Sequence, residues 1–181
     1  MKNNIVYINK WFSIKKNNDY FVIDENDEQV AILPIVNKNK LLLIKQYRVP
    51  LKKYTLEFPA GGFKKKSEKP KSAALRELLE ETGVKICDKK RLFKLKKMSV
   101  NPQRQTKLPH IFYINISKEE YLGRSKKISK EIKKVILVDF KKFLNLYKKG
   151  LIMSSFMGNL FFCYLLSKKK IKLVNISNGK K

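Results

Sequence analysis

The sequence predicts an α/β (α+β) chain, and three observations carry that prediction. Apolar, β-branched-rich runs alternate with polar turns through the first third of the chain. One strongly helical segment then interrupts the strands, and two apolar segments of helix length close the sequence. With 181 residues, 43% of them hydrophobic and 11% aromatic, the chain is long enough for one domain with a substantial core. That composition excludes a wholly disordered basic tail despite a net charge of +27.

Val6–Ile14 and Tyr20–Asp24 read as strands, followed by the polar turn Glu25-Asn26-Asp27-Glu28. Gln29–Val36 and Leu41–Tyr47 are apolar runs on either side of Asn37-Lys38-Asn39-Lys40, which predicts a hairpin. Tyr54–Phe58 is a further strand, broken by Pro59 and the pair Gly61-Gly62. Pro70 suits the first turn of a helix, Ser72–Thr82 carries helical periodicity, and Gly83 supplies its stop. Strands are expected at Arg91–Met98, His110–Ile116 and Ile132–Val138, and helices at Phe140–Lys149 and Ile152–Ser167. These elements divide the chain into an N-terminal β segment (1–28), a main domain (29–170) and a basic tail (171–181).

Only five of the 42 basic residues are Arg. Lys, Ile and Asn share A/T-rich codons, so the charge makes nucleic acid a compatible partner rather than a required one. The uncharged stretch Leu151–Leu166 would reach only about 24 Å as a helix, short of the ~30 Å hydrocarbon layer, and contains Gly158 and Asn159. It reads as a terminal core helix, with no membrane partner. Met1–Phe12 lacks a signal-peptide core, and Cys87 and Cys163 have no metal-site spacing. A cytoplasmic protein with two buried free thiols is expected.

The informative chemistry lies between Glu57 and Glu81. Five of the fifteen acids fall in those 25 residues: Glu57, Glu68, Glu77, Glu80 and Glu81. On a helix, Glu77, Glu80 and Glu81 share one face, opposite Ala74, Leu75, Leu78, Leu79 and Thr82. Carboxylates at that spacing repel one another, and a hard divalent cation reverses the sign. The same spacing also suits a solvated acidic stripe, with Arg76–Glu80 as an i, i+4 ion pair.

Gly62, Glu68 and the run Arg76-Glu77-Leu78-Leu79-Glu80-Glu81-Thr82-Gly83-Val84 resemble, at every fixed position, the signature box of the Nudix hydrolases. Upstream, Leu43-Ile44-Lys45-Gln46-Tyr47-Arg48 and Leu56-Glu57-Phe58-Pro59-Ala60-Gly61 look like the branch that cleaves ADP-ribose and related nucleoside diphosphate sugars. The resemblance covers most of the chain from about Gln29 to Leu166. It implies a Nudix fold, a mixed sheet sandwiched between helices, and hydrolysis assisted by Mg²⁺ or Mn²⁺.

Carried over residue by residue, the resemblance makes Glu77 and Glu81 the principal metal ligands, joined by Glu80. A backbone carbonyl at Ala60 or Gly61 completes the set. Arg76 would orient the carboxylates, with Glu68 structural or in an outer contact, and Arg48 and Glu57 would lie at the substrate. A general base is implied on the loop before the last strand. Glu119, Glu120 and Glu131 are the carboxylates in reach, and Glu131 is favoured because it directly precedes the apolar run 135–138. The N-terminal segment implies a homodimer.

Four features depart from that pattern or stand outside it. Lys64-Lys65-Lys66 stand where relatives place an acid, and read as a solvated loop. Pro102 lies about three residues beyond the position that marks ADP-ribose specificity. His110 reads as a core or outer-contact histidine, and Trp11 as a packing residue. Two other functions stay open: a Nudix hydrolase of dinucleoside polyphosphates or RNA 5′ ends, and a non-catalytic nucleotide- or nucleic-acid-binding module.

Overall fold

The computed structural model describes residues 4–169, so the basic tail 171–181 lies outside the described residues. β1 (Asn4–Ile8), β2 (Phe12–Asn17) and β3 (Tyr20–Glu25) form a three-stranded antiparallel sheet of their own. The single strand expected over Val6–Ile14 is therefore two strands. The Asn9 side-chain oxygen accepts the backbone N–H groups of Trp11 and Phe12 at 2.8 and 2.9 Å, which turns the chain back on itself. Trp11 does not pack as expected: it sits in that turn, 64% exposed, with the Lys10 ammonium over its ring.

β4 (Gln29–Val36) and β5 (Lys40–Arg48) form the expected hairpin. Asn37 and Lys38 both take left-handed backbone angles in the turn, a conformation that Asn tolerates well. The two strands pair only at Ile35 opposite Leu41 and Val36 opposite Lys40, and then diverge like a fork. β6 (Lys53–Glu57) fills one side of that fork by pairing with β5, and β7 (Ala60–Gly62) fills the other by pairing with β4. Phe58 and Pro59 join them, and the Pro59 carbonyl still accepts the Ile32 N–H at 2.9 Å. Gly61 and Gly62 are thus part of a short strand, not the break that their composition suggests.

α1 (Pro70–Thr82) begins with Pro70 in its first turn and ends at Gly83, whose φ of 76° gives the left-handed helix stop. β8 (Phe93–Lys94) is much shorter than the strand expected over Arg91–Met98. β9 (His110–Ile116) lies where the sequence puts it and runs parallel to β4, with Val30 beside His110. A short helix that the sequence reading passed over, α2 (Lys118–Leu122), starts from a Ser117–Glu120 capping box. β10 (Ile132–Asp139) then pairs antiparallel with β5 on its free side. α3 (Phe140–Lys148) and α4 (Ser155–Ser167) finish the described chain, α4 starting three residues later than expected.

Among the described residues, this second sheet has seven strands, with backbone order β10-β5-β4-β9-β8. Alternation along β4 divides the core between its two faces. Ala31, Leu33 and Ile35 meet Phe143, Phe156, Leu160 and Phe161 from α3 and α4. Val30, Ile32 and Val36 meet Ala74, Leu75 and Leu78 from α1. The sheet is covered on both faces, which is why its strands read as continuous apolar runs. Among the described residues, no helix is long and apolar enough to cross a membrane. Neither thiol is fully buried: Cys87 is exposed and Cys163 is partly covered.

Candidate active site

The open end of the β4–β5 fork is where the sequence-selected acids converge. β7 runs along that opening beside α1, and the helix turns Glu77 and Glu81 inward onto it. Both carboxylates are buried, at 8% and 7% exposure, so the solvated acidic stripe is excluded. Leu79, expected on the apolar side, is exposed instead. The Ala60 N–H donates to Glu81 Oε2 at 3.0 Å. A side chain at Gly61 would fall on the Glu77 carboxyl group and push it from this position.

Arg76 gathers the box into one network. Its Nη1 donates to Glu77 Oε1 at 2.5 Å and to Glu80 Oε2 at 3.2 Å. Its Nη2 reaches the Gly62 carbonyl at 2.8 Å, and Nε reaches Glu68 Oε1 at 3.0 Å. Glu68 also accepts the Lys64 N–H at 2.8 Å, which fixes it as a brace for the loop. Glu80 is held further out by Lys64 Nζ at 2.5 Å, so that lysine is paired and not merely solvated.

The electrostatics separate these acids. Burial raises Glu81 most, with the neighbouring negative charges of Glu77 and Glu57 adding to it, and its carboxyl is pushed up to about 8. Burial also raises Glu77, against the opposing pull of Arg76. Glu80 is partly buried too, but Lys64 and Arg76 outweigh that and hold it below the usual range. Arg76 stays charged because Glu68 and Glu77 overcome the cost of its burial.

This donor set fits a hard divalent cation. Two under-neutralised carboxylates face strand β7, which is stripped of side chain at Gly61, so added positive charge would relieve both. Among the described residues, no three Asp, Glu, His or Cys side chains already converge as a formed metal centre. Glu77 leans on Arg76, and Glu80 on Lys64.

Arg48 and Glu57 form the adjoining rim. Arg48 Nε and Nη2 donate to Glu57 Oε1 and Oε2 at 2.8 and 2.7 Å, a bidentate pair. Thr55 Oγ1 donates to Glu57 Oε1 at 2.5 Å, a contact that strand periodicity could have found because residues 55 and 57 share a face. Burial raises Glu57, but Arg48 and Thr55 more than compensate and leave it ionised.

The three candidate bases are separated by the fold. Glu120 is bound bidentately to Arg91, and Glu119 lies with Ser117 beside Asn37 and Lys38. Both therefore sit at the far end of β4, about 20 Å from Ala31 by strand rise. Glu131 shares a cavity with Arg48 and accepts a hydrogen bond from Gln46 Nε2 at 3.4 Å. Its loop is fastened to α1 by two bonds the sequence does not signal: Ser125 N–H to the Gly83 carbonyl at 2.9 Å, and Ser129 N–H to the Glu80 carbonyl at 2.7 Å. His110 pairs with Glu28 at the edge of this region, beside the Phe63 ring.

A family model described as the NUDIX domain matches residues 26–157. The ADP-ribose pyrophosphatase of Bacillus subtilis (strain 168) is 37% identical over 83 residues, covering 46% of this chain and 43% of that protein. The ADP-sugar pyrophosphatase of Mus musculus is 45% identical over 62 residues, 32% of this chain and 28% of that protein. The methanol dehydrogenase activator of Bacillus methanolicus is 52% identical over 54 residues, 30% of this chain and 29% of that protein. These matches span less than half the length of the curated relatives. A crystal structure of an ADP compounds hydrolase superposes with a TM-score of 0.68, covering 94% of this chain and 95% of that one at 22% identity, a likeness of fold.

Proposed function

The chain belongs to the NUDIX family, and from that premise we propose that it hydrolyses the diphosphate of ADP-ribose or a related nucleoside diphosphate sugar, using Mg²⁺ or Mn²⁺. The products are a nucleoside monophosphate and a sugar phosphate. The observation that carries this reading is the burial of Glu77 and Glu81 together against Ala60 and Gly61 with too little positive charge to balance them. The names of the Bacillus subtilis and mouse relatives support the substrate class.

When bound, a divalent cation neutralises the phosphate oxygens and acidifies the attacking water. Glu77 and Glu81 would hold it, with Glu80 and the Ala60 or Gly61 carbonyl beside them. Arg76 fixes the Glu77 and Glu80 carboxylates. Arg48, pinned edge-on by Glu57 through Nε and Nη2, keeps Nη1 for a substrate phosphate. Glu131 receives the proton of the attacking water at Oε1, because Gln46 already addresses Oε2. The water oxygen bonds to one phosphorus, the bridging P–O bond breaks, and the bridging oxygen leaves on the other phosphate.

The protein acts in this proposal as a cytoplasmic homodimer. Ile5, Val6, Tyr7, Ile8 and Tyr20 are exposed on the β1–β3 sheet and Trp11 in its first turn, which supports a second copy as their cover. The test of function is release of AMP and ribose 5-phosphate from ADP-ribose with Mg²⁺ or Mn²⁺, abolished by a chelator. No release with either ion would overturn the reading.

A further inference from the structure

Two residues, Phe58 and Pro59, separate the halves of the site. On one side of them Glu57 holds Arg48, and on the other Ala60 and Gly61 face Glu81 and Glu77. Neither residue belongs to a ladder. Pairing of β6 with β5 ends at Glu57 opposite Ile44, and pairing of β7 with β4 begins at Ala60 opposite Ala31. Pro59 has no N–H to donate, and its carbonyl is taken by the Ile32 N–H at 2.9 Å. Phe58 is fully buried, so its N–H needs a partner from elsewhere in the chain.

That partner is a sulfur. The Phe58 N–H donates to Met157 Sδ of α4 at 3.3 Å. A thioether is a weak acceptor, and a leucine would fill nearly the same space with no acceptor at all. The place of Met157 is set by close packing, because a side chain at the next residue, Gly158, would meet the Tyr147 ring of α3 at 2.6 Å. α3 grips the joint as well, since Phe143 stacks on Phe58 with centroids 5.5 Å apart. The joint is thus held at its ring by one helix and at its backbone by the other. Met157 also lines, with Arg48, Glu57 and Ala60, a cavity of about 260 Å³ over the fork. A shift at Phe58 would be carried into Glu57 and Ala60, because so short a stretch of planar peptides has few dihedrals to absorb it.

We propose that Met157 is a positioning residue of this site. By holding the Phe58 N–H, its sulfur sets β7 against Glu77 and Glu81, and the site binds its cation at full strength only with that bond made. This rests on the metal assignment of the proposed function and not on its substrate.

Met157→Leu conserves volume and removes the acceptor, whereas Met157→Gln is similar in length and returns one. In metal-free protein the Phe58 amide of Met157→Leu should exchange with deuterium about tenfold faster than in wild type, with the amides of β9 unchanged. Calorimetric titration with Mn²⁺ should give a dissociation constant about tenfold weaker in Met157→Leu and close to wild type in Met157→Gln. Leu160→Val, a core change in the same helix, should lower the melting temperature and leave the Mn²⁺ dissociation constant unchanged. Unchanged Phe58 exchange or unchanged Mn²⁺ affinity in Met157→Leu overturns the proposal, and so does a Met157→Gln that binds no better than Met157→Leu. An equal weakening in Leu160→Val also overturns it, because the sulfur would then serve packing alone. Wild type that binds Mn²⁺ but releases no AMP from ADP-ribose would sink the proposed hydrolysis and leave the role of Met157 standing. Absence of Mn²⁺ binding by the wild type would sink both.

Discussion

Helix α1 and the β1–β3 sheet both invert the usual placement of side chains, in opposite directions. In α1, acids are buried, while in β1–β3 apolar and aromatic side chains face outward. Each inversion costs free energy, and among the described residues neither is fully offset. For Glu77 and Glu81 the missing component is positive charge. For Ile5, Tyr7, Trp11 and Tyr20 it is apolar cover. In the proposed function the first kind of inversion is read as chemistry and the second as a partner surface.

Removing charge from the buried acids gives the largest expected effect. Glu81→Gln and Glu77→Gln keep the shape but lose the negative charge a cation needs, and each should cut turnover by about 10³-fold or more. The far-ultraviolet circular dichroism should stay unchanged. Wild-type turnover in either variant would mean that their burial serves packing alone.

Next in size is the base. Glu131→Gln should lower kcat by about 10²- to 10⁴-fold with little change in the metal concentration needed for half-activity. Glu119→Gln and Glu120→Gln, at the far end of β4, should stay near wild type. If the loss appeared in one of those two instead, the loop fastened to Gly83 and Glu80 would have no catalytic part.

The contrast between buried and paired acids can also be read without substrate, in metal-free protein. Glu81 has its folded value raised from 4.5 to about 8, so the folded state holds a proton that the unfolded state releases across that window. Stability must then fall as pH rises from about 5 to 8, at no more than ~1.4 kcal/mol per pH unit from this group. Glu77, also raised, adds in the same direction. Glu57, Glu68 and Glu80 are lowered, so their contribution is present above 4.5 and lost only in stronger acid. Thermal melts from pH 5.5 to 8.5 should show the decline, Glu81→Gln should flatten it, and added Mg²⁺ should restore stability at the alkaline end. Parallel curves for wild type and variant would remove the charge deficit on which the metal assignment leans.

How much of this was legible in the sequence follows from the range of the interactions. β4, β9 and the helix from Pro70 to Gly83 were readable because periodicity and end signals are local. The shared face of Glu77, Glu80 and Glu81 was readable because their spacing is fixed by one helix, and their role as metal ligands only through the resemblance to the signature box. β7 was not, since Ala60-Gly61-Gly62 has no strand propensity and exists only through pairing with Gln29–Ala31, some thirty residues away. The turn at Asn9 was hidden because apolar residues resume at once on its far side, at Trp11 and Phe12. Position before the apolar run 135–138 favoured Glu131 over Glu119 and Glu120, but the Ser125–Gly83 and Ser129–Glu80 bonds that fasten its loop to α1 are backbone contacts, which leave no mark on residue type.

The smallest expected effect on the fold, and the sharpest test of the other inversion, lies in the β1–β3 sheet. Trp11 is 64% exposed and Ile8 63%, so replacing them removes almost no burial from the single chain. Trp11→Ser with Ile8→Thr should therefore change the unfolding free energy of the monomer by no more than about 0.5 kcal/mol per site. If a second copy covers this sheet, light scattering of the wild type should give twice the 21.3 kDa chain mass, and the double variant should move toward a single chain at micromolar concentration. Its melting temperature should then depend on protein concentration less steeply than that of the wild type, because association no longer contributes to stability. A wild-type mass of one chain would leave the exposed aromatics without the partner assigned to them. The buried acids of α1 would then stand as the one inversion in this comparison with a component to complete it.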